Sequence, residues 1–372
     1  MTRTSSPTEK NIQLRDLRTT LFHMPKIDLH RHLEGSLRLS TLAEIARQHG
    51  LDLPSMSLEE LRPYVQVVDD APDFLGFLAK FKLLRRFYSS RETVERMAYE
   101  AVADAAADNV RYLELRFSPV ALALNQGFDF EDVVDWVITA VDRAQLDHAI
   151  QVRLIVLTNR HEPQYAPRLA EIAVDRKNQG IVALDLAGDE LNYPELDQFV
   201  EVFQWAKKQG LHITVHAAEA GPPANAKAAV EKLGAERIGH GIRVREDIAV
   251  MDFIKRRKIT LEVCPTSNLQ TGIVPKLGQH PLYPFYKIGI PVTVNTDDPS
   301  ISNTTLTDEF LVATGGAGVP FRALCDMILN AAKAAFLPES EQDRLADWFG
   351  AALSKYLSGS NPDITSGKSG EL

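Results

Sequence analysis

The sequence predicts an α/β protein in which eight strand-plus-helix units close into a (β/α)8 barrel. Short runs rich in β-branched residues recur eight times along the 372 residues. Segments with helical periodicity separate most of them, and polar residues gather just after the runs rather than before them. Alternation of strand and helix implies right-handed crossovers and a parallel sheet. A doubly wound open sheet is the alternative. Against it, no G-x-G-x-x-G follows the first run, and only a barrel brings the ends of all eight strands to one mouth.

Taken in order, the first run is Lys26 to His30, preceded by residues 1–24 as an N-terminal extension. Ser40 to Ser90 reads as an insertion after the first strand, with Phe74, Phe77, Leu78 and Phe81 at the spacing of helices that cover the mouth. The next runs are Arg111 to Phe117, Gln151 to Leu157 and Val182 to Ala187, with helical periods at Thr93 to Asp108, Phe130 to Ala149 and Ala166 to Gln179. His212 to His216, Arg237 to His240, Ile259 to Val263 and Pro291 to Asn295 complete the eight. Thr304 to Leu357 reads as helical and closes the barrel, so that residues 25–357 form one domain, while 358–372, rich in Ser, Gly and Asp, read as a disordered tail.

Composition excludes several function classes. A hydrophobic content of 45% suits a globular core, and a net charge of −9 argues against binding a nucleic-acid backbone, which runs on clustered Lys and Arg. A small molecule is the expected partner. The two cysteines, Cys264 and Cys325, cannot build a disulfide scaffold or a cysteine-based zinc site. No run approaches the roughly 20 apolar residues of a membrane span, and Met1 to Met24 lack the apolar core of a secretory signal, so a cytoplasmic protein is expected. Nothing in the sequence sets the oligomeric state.

The chemistry gathers at strand ends. In Ile27-Asp28-Leu29-His30-Arg31-His32, alternation along a strand puts His30 and His32 on one face, half of a metal site. His216-Ala217-Ala218-Glu219 supplies a third imidazole with a carboxylate three residues on. Gly239-His240-Gly241 ends the next run, and Thr296-Asp297-Asp298-Pro299 follows the last. Singly, each reads as a core histidine, a helix cap or a solvated acid. Together they occupy one rim of the barrel. Three histidines and an aspartate suit zinc or a similar transition metal and leave a position for water. His23, His49, His148, His161 and His280 fall outside the strand ends and read as surface or structural.

These motifs, with Met24-Pro25-Lys26 leading into the first and Leu33-Glu34-Gly35 following it, resemble the adenosine deaminase family of the amidohydrolase superfamily from about Pro25 to about Leu337. The resemblance implies that His30, His32, His216 and Asp297 hold one zinc ion per subunit, another divalent transition metal being an alternative. It implies that Glu219 donates a proton to purine N1 and that His240 orients the attacking water and takes its proton. Asp298 is then expected at purine N7, the backbone N–H of Gly188 at N3, and Glu34 near the ribose 5′ position. Gly188 also suits a tight strand-to-loop turn, and Asp298 could cap the following turn.

The fourth run ends Asp185-Leu186-Ala187-Gly188 without the lysine that bridges two metals in other amidohydrolases, and the P-C-x-x-C that cytidine-type deaminases combine with H-x-E is missing. A non-catalytic barrel is disfavoured because every metal and acid/base position of the family pattern is filled. The expected reaction is hydrolytic deamination of adenosine or 2′-deoxyadenosine. Cys264-Pro265-Thr266-Ser267-Asn268 resembles bacterial nucleoside deaminases more than the adenine-specific branch. Glu34 stands where many adenosine deaminases carry Asp, which keeps adenine and 5′-modified nucleosides such as 5′-methylthioadenosine or aminodeoxyfutalosine as alternative substrates.

Overall fold

Buried on both faces, a parallel strand must be apolar outward and tolerate polar groups inward only where these pair with one another. The eight runs meet that condition. In the computed structural model, which describes residues 7–51 and 57–358 (the side chains of 7–14 apart), they form one parallel sheet. The strands are β1 (Lys26–His32), β2 (Val110–Phe117), β3 (Gln151–Asn159), β4 (Ile181–Ala187), β5 (His212–Ala217), β6 (Arg237–His240), β7 (Thr260–Val263) and β8 (Val292–Val294). Each pairs with the next in chain order.

The seam between β8 and β1 is made by the residues that follow β8. The N–H of His32 donates to the Asp297 carbonyl at 2.8 Å, and the N–H of Asp297 donates to the His30 carbonyl at 2.8 Å. One parallel bridge, Arg31 to Asp297, results. Closure and candidate metal ligands therefore coincide. The register of β1 against β2 slips between Asp28 and Arg31, a bulge that lies between its two paired ends and beside His30.

The barrel interior below this seam is ionic. Arg116 donates to Asp185 at 2.7 Å and to Glu262 at 2.8 Å, and Arg237 donates to Glu262 at 2.6 Å and to Glu114 at 2.5 Å, all with side chains at most 1% exposed. Such groups tolerate burial only where each charge meets an opposite one.

The segment after β1 folds into helices Leu39–His49, Leu58–Val65 and Phe74–Leu84, the last capped by the Asp73 carboxylate accepting from the Gly76 N–H. The C-terminal region is three helices, Leu306–Gly315, Phe321–Ala334 and Glu339–Leu357, separated where Pro320 and Pro338 hold extended backbone. The helix Pro7–His23 is tied to this region by the Arg18–Asp308 ion pair and by Tyr356, whose hydroxyl donates to the His23 carbonyl. The tail read as disordered lies, but for Ser358, outside the described residues. Among the described residues no helix is long and apolar enough to cross a membrane.

Candidate active site

At the mouth, β1, β5 and the turn after β8 bring four donors together. His30, His32, His216 and Asp297 offer ligand atoms that all lie within 4.8 Å of one another, and all four residues are buried. The Nε2 atoms of His32 and His216 stand 3.2 Å apart, and Asp297 Oδ1 lies 3.1 Å from His30 Nε2 and 3.3 Å from His32 Nε2. The other ring nitrogens of His30 and His216 are held from behind. His30 Nδ1 faces Glu262 Oε2 at 2.7 Å, and His216 Nδ1 faces Asp185 Oδ1 at 3.1 Å.

A carboxylate can only accept, so each of these Nδ1 atoms carries the proton and each Nε2 turns a lone pair inward. His30 Nε2 is buried without a hydrogen-bond partner. Lone pairs converging in a dry site need a cation between them. The donor set, three imidazoles and one carboxylate, fits a single divalent transition metal. Burial also favours the ligating neutral form of two of the imidazoles, pushing His32 down to about 4 and lowering His216, whereas the Asp297 and Glu262 carboxylates raise His30.

The turns that carry these groups are unusual in backbone. Ala218, His240 and Asp297 have φ of 51°, 59° and 62°, the left-handed region that ordinary residues avoid, and such strain persists where the surroundings enforce it. Gly239 is required by close approach: a Cβ there would lie 3.0 Å from His30 Cε1 and 3.1 Å from His216 Cγ. The turn after β5 is clamped by Glu190, whose carboxylate accepts from the backbone N–H groups of Ala218, Glu219, Ala220 and Gly221 at 2.8–3.1 Å.

This clamp aims Glu219 toward the metal donors. Its Oε2 lies 3.6 Å from His240 Nε2, which is in turn 3.8 Å from Asp297 Oδ2. Burial, reinforced by the charges of Asp297 and Glu190, raises the Glu219 carboxyl well above the usual carboxylate range. A protonated acid and a metal site thus face one point.

The sequence profile of the adenosine deaminase family matches residues 25–351. This chain belongs to that family. It is 40% identical over 322 residues to the adenosine deaminase of Klebsiella pneumoniae (strain 342), covering 87% of this chain and 96% of that protein. Among solved structures, the adenine deaminase of Arthrobacter aurescens superposes with a TM-score of 0.81 at 26% identity, over 90% of this chain and 99% of that one. The N6-methyl-AMP deaminase of Arabidopsis thaliana does so with a TM-score of 0.79 at 27% identity, over 91% and 99%. Membership makes the protein a metal-dependent hydrolase of the deaminase type.

In this adenosine deaminase family member the site opens into a cavity of about 410 Å3. Phe74, Phe77, Leu78 and Phe81 of the helix Phe74–Leu84 form its apolar wall, and Glu34, Gly188 and Asp298 also line it. Glu34 accepts from the Ser118 N–H through Oε1 at 2.7 Å, while its Oε2 is buried without a partner; burial brings this carboxyl up to about 7. Asp298 Oδ1 is likewise buried and unpartnered, and a Cβ at Gly35 would overlap the Asp298 carboxylate. Gly188 adopts φ of 99°, so glycine serves the turn there whatever else it contacts.

Several residues at the site escape sequence reading. Glu190, Asp185 and Glu262 act through others and carry no motif of their own. His161, read as surface or structural, lines the cavity with Arg85, and His280 is buried behind the site.

Proposed function

We propose that this chain hydrolyses adenosine and 2′-deoxyadenosine to inosine and 2′-deoxyinosine with release of ammonia, using one zinc ion per chain held by His30, His32, His216 and Asp297. The observation that carries the reading is Glu219, a buried carboxyl held protonated while facing the same point as four convergent metal donors. Full-length similarity to a protein named adenosine deaminase supports adenosine as the substrate. The names of the solved neighbours, an adenine and an N6-methyl-AMP deaminase, share a purine 6-amine and differ in what the ring carries.

When bound, the ion supplies Lewis-acid activation of water at neutral pH. Water adding to purine C6 pushes electrons onto N1. Glu219 delivers its proton there as that charge develops; of the two protons of the water, one passes to the departing amine, which leaves as ammonia, and one returns to the Glu219 carboxylate, leaving the C6 carbonyl. His240, whose Nε2 lies 3.6 Å from Glu219 Oε2 and 3.8 Å from Asp297 Oδ2, orients the attacking oxygen. The Gly188 N–H holds the ring at N3 and Asp298 holds it at N7, the Asp298 carboxyl, which burial raises well above the usual range, donating its proton to N7 through the free Oδ1. The partnerless Oε2 of Glu34 suits a hydroxyl donor of the sugar.

Ammonia release by the zinc-loaded protein tests this, with kcat/KM compared for adenosine, 2′-deoxyadenosine, adenine, 5′-methylthioadenosine and aminodeoxyfutalosine. The nucleosides with a free 5′-hydroxyl are expected to lead. Preference for a 5′-extended nucleoside would reassign the wall around Glu34, and release from none would refute the proposal.

A further inference from the structure

We infer that Asn268 and His280 fix the proton of His240 on Nε2, so that His240 enters the reaction as a hydrogen-bond donor rather than as a proton acceptor. The hydrogen-bond relay begins outside the site, at a backbone group that can only donate. The backbone N–H of Leu282 donates to His280 Nδ1 at 3.1 Å. A backbone N–H cannot accept, so Nδ1 is the acceptor and a neutral His280 carries its proton on Nε2. His280 is only 3% exposed, and burial beside Arg245 pushes the imidazole down to about 3, which keeps it neutral.

His280 Nε2 lies 3.3 Å from the side-chain oxygen of Asn268. The reversed amide would set two donors against each other, so the ring determines which way the amide points. The amide nitrogen then faces His240 Nδ1 at 3.2 Å, and Nδ1 must accept. The backbone beneath this amide is held as well: Asn268 is fully buried, its main-chain N–H donates to the Cys264 carbonyl at 3.0 Å, and its main-chain carbonyl accepts from the Val274 N–H at 2.9 Å.

With Nδ1 occupied as an acceptor, the neutral ring presents N–H at Nε2, toward Glu219 Oε2 and Asp297 Oδ2. A donor there can grip the lone pair of an oxygen at the reacting centre, but it cannot receive a proton from it. This revises the expectation, drawn from family resemblance, that His240 takes the proton of the attacking water. Asn268 and His280 are positioning residues: neither lines the cavity against the reacting atoms, and both act through His240.

The direction of the catalytic effect rests on the deaminase reading above, whereas the tautomer does not. The experiment is 15N NMR of the histidine-labelled, zinc-loaded protein, with the His240 signals assigned by difference from His240→Asn. Nδ1 is expected at the shift of an unprotonated acceptor and Nε2 at that of an N–H; a protonated Nδ1 in the wild type overturns the inference. Asn268→Asp replaces the donor by an acceptor and is expected to move the proton to Nδ1, lowering kcat roughly 10–100-fold with little change in KM and unaltered zinc content. His280→Gln, which keeps an N–H for Asn268, is expected to preserve the wild-type spectrum and kcat that His280→Ala loses. An unmoved proton in Asn268→Asp, or equal behaviour of the two His280 variants, counts against the chain. Should Asn268→Asp not fold, the wild-type spectrum and the His280 pair decide. Absence of turnover in the wild type would refute the deaminase reading and leave the tautomer assignment standing.

Discussion

A carboxyl that is to give up a proton near neutral pH must be kept from ionising beforehand, and the surroundings of Glu219 do this twice over. Burial removes the water that would solvate the anion, and Asp297 and Glu190 add like charge. Glutamine has nearly the same shape and can donate a hydrogen bond, but it has no proton to transfer. Glu219→Gln is therefore expected to retain the metal while kcat falls about 10²- to 10⁴-fold, the usual contribution of a positioned general acid. Metal analysis beside steady-state kinetics checks it, and near-normal kcat would remove Glu219 from the acid role. Glu219 was legible in the sequence because it sits three residues beyond a strand-end histidine. Asp185 and Glu262 were not. Each is one carboxylate in a buried run, and its meaning depends on which histidine the neighbouring strand sets against it, here His216 and His30.

The elements deliver these side chains through their ends, and the short helix Pro265–Gln270 shows how far such positioning reaches. Its first turn is held by Glu309, which accepts from the Thr266 N–H at 3.0 Å and the Thr304 hydroxyl at 2.9 Å, and the same helix carries Asn268. Burial raises the Glu309 carboxyl to about 7. An acid raised in the fold keeps its proton there after the unfolded chain has lost it. Its contribution is intact below the ordinary value of 4.5 and is lost as pH climbs through about 7, by roughly 3 kcal/mol at most. Glu309→Gln imitates the protonated acid, with an oxygen for Thr266 and an amide for Thr304. The variant is expected to match the wild type in urea unfolding at pH 5 and to exceed it at pH 8; a pH-independent difference would show that Glu309 is not ionising in this window. At this scale the strand runs were readable from β-branched composition. The breaks at Pro320 and Pro338 show what the helical period alone misses, since proline stops a helix without disturbing the apolar spacing.

Across the whole molecule, the candidate metal ligands come from chain positions as far apart as His30 and Asp297, and they meet where β8 closes on β1. The backbone ladder there is reduced to two hydrogen bonds and one bridge, with side-chain bonds such as Thr296 to Asp28 making up the rest, and this seam is also where the ion would bind. An ion at these ligands would tie β1, β5 and the turn after β8 together, and a species that binds only the folded state stabilises it by mass action, about 4 kcal/mol when present at 1,000 times its Kd. For a chain of this length that corresponds to roughly 5 °C in Tm. Chelation is thus expected to abolish turnover and lower Tm by several degrees together, and added zinc to restore both. The Glu219→Gln protein separates the two effects, because it should show the same metal-dependent Tm without the activity. Loss of metal, confirmed by elemental analysis, with no change in Tm would mean that the ion does not bridge the strand ends. Turnover surviving that loss would refute metal-dependent hydrolysis, since Glu219 and His240 alone hold no group that activates water at neutral pH.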